Sequence, residues 1–365
     1  MKAVVFRSPE SAVSLADVEL ATPKAGEVRV RIAAAGVCHS DLHVRRGEWP
    51  APAPLVMGHE GSGVVTELGA GATGLEVGDH VVLSWVPPCG ECARCLAGRE
   101  AQCQKVATII APLGTLFDRT SRLSAEGEML HHYLGVSSYA EEVVVPASGA
   151  IRVRRDAPLD VIAVVGCAVA TGVGAVVNTA KVEAGSTVVV IGCGGVGLNV
   201  VQGARLAGAS RIVAVDMLPA KTELAARFGA TDAIDASQGD PVAALFELLP
   251  EGADYVFDAI GRTSTTEQAI RMLALGGAAV IVGLPPAGAT ASFEPLVLAE
   301  ADQRILGSNY GSVRPAVDIP RLVDQYMAGE LLIDELISGR RPLAEAAEAL
   351  DDLESGGALR TLLIP

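Results

Sequence analysis

Residues 186 to 216 read STVVVIGCGGVGLNVVQGARLAGASRIVAVD, a stretch that leaves the fold little freedom. TVVVI is a β-branched run, the pattern of a strand buried on both faces of a parallel sheet. Gly192-x-Gly194-x-x-Gly197 follows at once, and LNVVQGARLAG then carries apolar residues at helical spacing. RIVAVD predicts the next strand, ending in Asp216 nineteen residues after Gly197. A strand, a glycine turn and a helix in that order make a dinucleotide cradle. The glycines let the backbone approach a pyrophosphate, and the helix N-terminus offers unpaired N–H groups and a positive end. Asp216 is placed to accept hydrogen bonds from a ribose diol. A carboxylate there repels a 2′-phosphate, so NAD is expected over NADP. DYVFDAIG (254–261) and GGAAVIVGLPP (276–286) repeat the strand-then-glycine unit. The alternation predicts an α/β fold, with a doubly wound parallel sheet over about 169–308.

Residues 1–150 are different, with short valine runs and glycine turns that suit an irregular β-rich domain. At 365 residues the chain is long enough for both. A net charge of −15 disfavours nucleic acid and anionic membrane, both of which need basic patches. The start, MKAVVFRSPESAVSL, lacks a long apolar region and a small-residue cleavage site, so no secretory signal is expected and a cytoplasmic location is. The most apolar later stretch, VIAVVGCAVATGVGAVV (161–177), is short for a membrane span and broken by glycines. It is expected to be a buried segment.

Seven cysteines, an odd number, stand at 38, 89, 92, 95, 103, 167 and 193. Without a secretion signal they argue against a disulfide framework. Four fall within CGECARCLAGREAQC, spaced Cys89-x2-Cys92-x2-Cys95-x7-Cys103. Thiolates this close can converge on one small ion, and four sulfurs with no open position suit a structural tetrahedral zinc. The rivals are free or redox-active thiols and an iron–sulfur cluster. A redox Cys-x-x-Cys normally occurs once, at a helix start. The ferredoxin run has a shorter last spacing and a proline where Gln104 stands here.

A second constellation lies upstream in AAGVCHSDLHVRRGEWPAPAPLVMGHEGSGVV (34–65), with Cys38, His39, His43 and His59-Glu60. GHEGSGVV reads as a turn into a strand that would hold His59 rigidly. From spacing alone, Cys38 with His59 is a weak metal signal, and nothing in the pattern adds Cys167 to it.

Together the segments GVCHSDLH, MGHEGSG, CGECARCLAGREAQC, GTLFDRTSRL, HHYLG, VGCAVATGVGAVVNTAKVEAGSTVVVIGCGGVGL, VDMLPAK and ALRTLLIP fall in the order found in zinc-dependent medium-chain alcohol dehydrogenases. The chain resembles that family from near residue 1 to its end. The long middle loop, 104–135, resembles the animal and glutathione-dependent-formaldehyde branches. The resemblance implies a GroES-like catalytic domain formed by 1–168 and 309–365 and a Rossmann NAD-binding domain formed by 169–308. It implies two zinc ions per chain, a catalytic one on Cys38, His59 and Cys167 and a structural one on Cys89, Cys92, Cys95 and Cys103. Cys193 is left over, with packing as its expected role.

The resemblance also implies further roles. Ser40 would bond the alcohol and His43 would end a proton relay. Asp41 would orient the zinc histidine, and Glu60 would be the acid beside the metal. Gly192, Gly194, Val196, Gly197 and Thr171 belong to the nucleotide site. Asp216 and Lys221 match ribose contacts, Arg262 an adenine-side residue, and Arg360 a pyrophosphate contact. His39 stands where many relatives carry arginine, which should ease cofactor release. Trp49, Trp85, Tyr139, Leu284 and Asn309 fall at pocket positions and suggest a primary alcohol with an apolar or aromatic tail. The implied reaction is hydride transfer between alcohol and NAD, with zinc as Lewis acid and the proton leaving through Ser40, the nicotinamide ribose and His43. Three rivals remain: a thiol-dependent formaldehyde dehydrogenase, a nucleotide-retaining aldehyde dismutase, and a catalytically silent NAD-binding protein. Against the glutathione-dependent branch, Trp49 and the neighbourhood of Ala107 stand where that branch carries an acid and an arginine. The expected partners are a small-molecule alcohol or aldehyde and further copies of the chain, as a homodimer or homotetramer.

Overall fold

The computed structural model describes residues 1–9, 11–356 and 358–365. They divide into two compact units, Met1–Cys167 with Arg314–Pro365, and Ala168–Val313. The first unit is thus interrupted in sequence by the second.

In the second unit the described residues form one sheet of six strands, all parallel. The spatial order is Asp232–Asp235, Arg211–Asp216, Thr187–Ile191, Ala253–Asp258, Leu273–Ile281, Arg304–Gly307. Counted along the chain this is 3-2-1-4-5-6, the doubly wound order, which leaves a crevice at the carboxyl ends where the order reverses. The central strands bury both faces because they are runs of valine and alanine; Val189, Val213, Val256 and Ala279 share one core. Helices Gly195–Leu206, Pro219–Phe228, Pro241–Leu248 and Thr263–Arg271 supply the crossovers.

The first unit is β-rich. Its longest strand, Glu27–Gly36, reads EVRVRIAAAG and alternates, with Val28, Val30 and Ile32 in the core and Arg31 exposed. It pairs with Ser62–Leu68, with Glu142–Pro146 and, at its far end, with Arg360–Ile364. A second sheet is built from short strands including Lys2–Phe6, Leu55–Val56 and Glu128–His132. The short helix His39–Arg45 packs on the helix Ala346–Glu354, and Leu42, Leu350 and Leu353 share an apolar core with Met57 and Tyr139. No single helix among the described residues is long and apolar enough to cross a membrane, and residues 161–176 are buried.

Candidate active site and metal centres

Helix His39–Arg45 starts directly after Cys38, which is extended at φ −124°. The Cys38 N–H donates to Asp41 Oδ2 at 3.0 Å, satisfying a donor that the first helical turn leaves unpaired. The same oxygen accepts the Tyr139 hydroxyl at 2.9 Å. Asp41 Oδ1 lies 3.2 Å from His59 Nδ1. One buried carboxylate therefore fixes the helix start and puts the His59 proton on Nδ1, leaving Nε2 with the lone pair. The Tyr133 ring meets His59 edge-on, with centroids 5.4 Å apart, and its hydroxyl donates to the Ser40 carbonyl at 3.0 Å. Cys167 follows the single turn Ala163–Gly166.

These elements bring Cys38, His59, Glu60 and Cys167 together, with their ligand atoms all within 4.8 Å of one another and all four residues buried. His59 Nε2 and both Glu60 oxygens are buried without a hydrogen-bond partner. Orphaned atoms of this kind are costly unless an ion or water satisfies them. Two sulfurs and an imidazole nitrogen at this separation fit a zinc ion that keeps one position open. The electrostatics lean the same way. The hydrogen bond from Cys167 holds the Cys38 thiol well below its ordinary value, helped against burial by the charge of Arg360. Burial pushes the Glu60 carboxyl up to about 7, with Arg360 pulling in the opposite direction.

Arg360, which the resemblance matches to a pyrophosphate contact, is only 2% exposed, and its guanidinium lies 3.5 Å from Cys38 Sγ and 3.4 Å from Glu60 Oε1. A buried cation needs anionic neighbours, and this site supplies them. Tyr139 was expected to line a pocket, but it is wholly buried in an apolar core with its hydroxyl turned to Asp41.

The second cysteine cluster forms around the one-turn helix Ala93–Leu96. All four sulfurs lie within 4.8 Å of one another, and Cys89 and Cys95 are 3.9 Å apart. A tetrahedral ion with metal–sulfur bonds of about 2.3 Å sets its sulfurs about 3.8 Å apart, so one zinc fits, whereas a multi-iron cluster needs a wider spread. Backbone N–H groups help to hold the thiolates: Cys92 N–H points to Cys89 Sγ at 3.4 Å and Cys95 N–H to Cys92 Sγ at 3.5 Å. The Cys95 and Gln104 N–H groups bring the Cys92 thiol down to about 6.

In the second unit, Gly192 ends the strand Thr187–Ile191, Gly194 precedes the helix Gly195–Leu206, and Val196 and Gly197 lie in its first turn. A Cβ at Gly197 would stand 1.7 Å from the Gly192 carbonyl oxygen, so no other residue closes this turn. No side chain caps the helix, which leaves its first N–H groups facing the cradle. Asp216 is pinned at the end of its strand. Its Oδ2 accepts the Cys193 N–H at 2.8 Å and its Oδ1 the Leu218 N–H at 3.0 Å. The Cys193 side chain is buried and turned toward the Val215 carbonyl, and it belongs to neither candidate metal group. Lys221 lies in the first turn of the following helix, Pro219–Phe228, exposed Arg262 precedes Thr263–Arg271, and the Thr171 hydroxyl is buried on Ala168–Gly174. Leu284 and Asn309 stand exposed on this unit.

On the first unit, Ser40 Oγ lies 3.8 Å from Cys38 Sγ. His43 is one helical turn further on, and His39 is exposed at the helix start. Trp49 stacks on the His43 ring, with centroids 4.4 Å apart and planes 14° apart. Trp85 packs against the valine core of the larger sheet. Sequence analysis singled out His43 and Trp49 but passed over Glu48, whose carboxylate hydrogen-bonds His43 Nδ1. The signal was an acid between a turn glycine and a tryptophan, five residues after a histidine.

Comparison with known proteins adds to this geometry. Residues 24–155 match the family described as Alcohol dehydrogenase GroES-like domain, and residues 195–326 that described as Zinc-binding dehydrogenase. The chain is 39% identical to a probable S-(hydroxymethyl)glutathione dehydrogenase 1 of Schizosaccharomyces pombe, covering 99% of this chain and 96% of that protein. It is 39% identical to alcohol dehydrogenase class-3 of Drosophila melanogaster, covering 99% and 97%. The crystal structure of benzyl alcohol dehydrogenase from Acinetobacter calcoaceticus superposes with a TM-score of 0.93 at 33% identity, covering 100% of this chain and 98% of that one.

Proposed function

Because the chain belongs to the zinc-dependent medium-chain alcohol dehydrogenase family, we propose that it is an NAD-linked enzyme interconverting primary alcohols with apolar or aromatic tails and their aldehydes. The observation that carries this reading is the buried set of Cys38, His59 and Cys167 with the Ser40 hydroxyl beside Cys38 Sγ. Cys38, His59 and Cys167 would hold a catalytic zinc, and Cys89, Cys92, Cys95 and Cys103 a structural one. When bound, the catalytic zinc supplies a Lewis acid for the alcohol oxygen and NAD supplies the hydride acceptor. Ser40 holds the substrate hydroxyl and takes its proton, and His43, on the same helical face, moves that proton outward. Asp41 keeps His59 in the tautomer whose Nε2 can ligate. The glycine turn at 192–197 and the open helix start behind it bind a pyrophosphate. The pinned carboxylate of Asp216 supports a ribose diol over a 2′-phosphate, hence NAD over NADP.

Trp49 and the likeness to a benzyl alcohol dehydrogenase favour the aromatic alcohol. A second reading, oxidation of a formaldehyde–thiol adduct, is favoured by the names of the 39%-identical relatives. The exposed edge strand Arg304–Gly307 supports self-association through the second unit.

Absorbance at 340 nm tests the reading, using zinc-loaded protein, NAD and a panel of ethanol, hexanol, benzyl, cinnamyl and isopropyl alcohols. Formaldehyde is assayed alongside, with and without glutathione. NADH growth with benzyl alcohol or hexanol, and no thiol, is expected. NADH growth from formaldehyde only when thiol is present, with none from the alcohols, would replace the first reading by the second. Faster oxidation of isopropanol than of the primary alcohols would refute the pocket assignment.

A further inference from the structure

The end of helix His39–Arg45 builds an arrangement that the reaction outlined above does not use. Arg46 N–H still bonds the Leu42 carbonyl at 2.9 Å, and Gly47 N–H bonds the Val44 carbonyl at 3.0 Å. Gly47 then takes φ +68°, the left-handed conformation that turns a chain back at a helix end. A Cβ there would meet Pro9 Cγ at 2.9 Å, so glycine is required by both conformation and space. The reversal brings the next two residues back over the last turn. Glu48 N–H donates to the His43 carbonyl at 2.9 Å, and Trp49 N–H approaches it at 3.3 Å. The side chains follow the backbone: Glu48 reaches His43 Nδ1, and Trp49 lies flat on the ring.

The surroundings decide what this pair can do. His43 is 17% exposed and Glu48 is 29% exposed, so the carboxylate on the ring is itself open to solvent. Arg46 approaches the other Glu48 oxygen at 3.7 Å but gives its short contact to Glu354. On the facing helix, Ala346–Glu354, the charges Asp351 and Glu354 are taken up by Arg45 and Arg46. No charged partner from either helix therefore competes for the Glu48 oxygen on His43. An imidazole that gains a proton on one nitrogen must lose one from the other to pass it on.

We propose that Glu48 is the outlet of the proton relay. It holds the His43 proton on Nδ1, so that Nε2 accepts the proton arriving from the substrate side, and it carries the Nδ1 proton to bulk water. The step balances: one proton enters at Nε2, one leaves from Nδ1 to a Glu48 oxygen, and that oxygen releases it to solvent, leaving a carboxylate and a neutral imidazole protonated on Nε2; exchange with water returns that proton to Nδ1 before the next turnover. This rests on the reading of His43 as part of the relay.

The test compares the full zinc-loaded enzyme with Glu48→Gln, which keeps an acceptor for Nδ1–H but cannot carry a proton, and with Glu48→Asp. Single-turnover NADH formation in Glu48→Gln should slow by about tenfold at pH 7, less than the roughly hundredfold or more of a group at the reacting atoms, because water substitutes in part. Imidazole buffer should restore the rate, KM for NAD should stay within about twofold, and Glu48→Asp should remain near wild type. On a His43→Gln background, Glu48→Gln should add nothing. An unchanged single-turnover rate, or a loss that buffer does not restore, would overturn the proposal. Nitrogen-15 spectra of the imidazoles give an activity-free readout. The wild type should show the Nδ1–H tautomer at His43, and an Nε2–H tautomer would refute the outlet even in a protein that reduces no NAD. Absence of NADH formation in the wild type, with the Nδ1–H tautomer present, would refute the dehydrogenase reading and the proton-carrying role with it.

Discussion

At Asp41 one carboxylate takes donors from three parts of the chain: the Cys38 N–H, the Tyr139 hydroxyl and His59 Nδ1. Another buried side chain yields a measurable pH effect. His132 accepts the Arg122 N–H at its Nε2, 3.1 Å away, and burial, followed by the Arg122 charge, pushes it down to about 3. Its folded value is thus below the ordinary 6.5. Its contribution to stability is complete above that value and is lost as pH falls, because the unfolded chain takes the proton first. The slope rises from about 0.7 kcal/mol per pH unit at pH 6.5 to about 1.3 kcal/mol per unit at pH 5. Urea midpoints measured at pH 7, 6 and 5 should therefore fall more steeply for wild type than for His132→Gln. Parallel slopes would show that His132 titrates freely. Single residues were unevenly legible in the sequence. Asp41 could be placed because it sits three positions from Cys38, within one helical turn. Tyr139 and Arg360 could not. Their partners lie 98 and 322 residues away, and nothing local distinguishes a tyrosine facing a pocket from one holding a carboxylate.

At the scale of elements, the loop from Cys89 to Cys103 has little apart from a metal to hold it. It contains a single helical turn and a short 3-10 turn, and Cys89, Cys92 and Cys95 are all partly exposed. Its order should depend on the ion, since four like thiolates repel one another without one. Cys95→Ser should lower the zinc content from two ions per chain to one and the melting temperature by on the order of 5–10 °C. Unchanged metal analysis and melting would remove the structural zinc from this account. This element was legible because its chemistry is local, four thiols in fifteen residues. The strand–turn–helix unit at 187–206 was legible for the same reason, its steric demands falling on neighbouring glycines. The short strands of the first unit, such as Leu55–Val56, follow no period long enough to read.

For the whole molecule, the sheet of the second unit ends in an unprotected strand. Arg304–Gly307 pairs on one side with Leu273–Ile281 and is mostly exposed, and Leu275, Leu296 and Ile305 stand exposed on the same unit, Leu275 at 83%. An open apolar edge of this kind invites pairing with another chain. Light scattering on the eluting protein should therefore give a dimer or tetramer of the 37.4 kDa chain, and Ile305→Lys should shift it toward monomer. A monomeric wild type would sink this assignment. The division into two units also bears on how the metal centre is made. Glu60 and Cys38 face Arg360, which is translated about 300 residues after Glu60. At about 5–20 residues per second the ribosome takes about 15–60 s to cover that distance. The two thiols and the histidine are therefore synthesised well before the guanidinium that faces them.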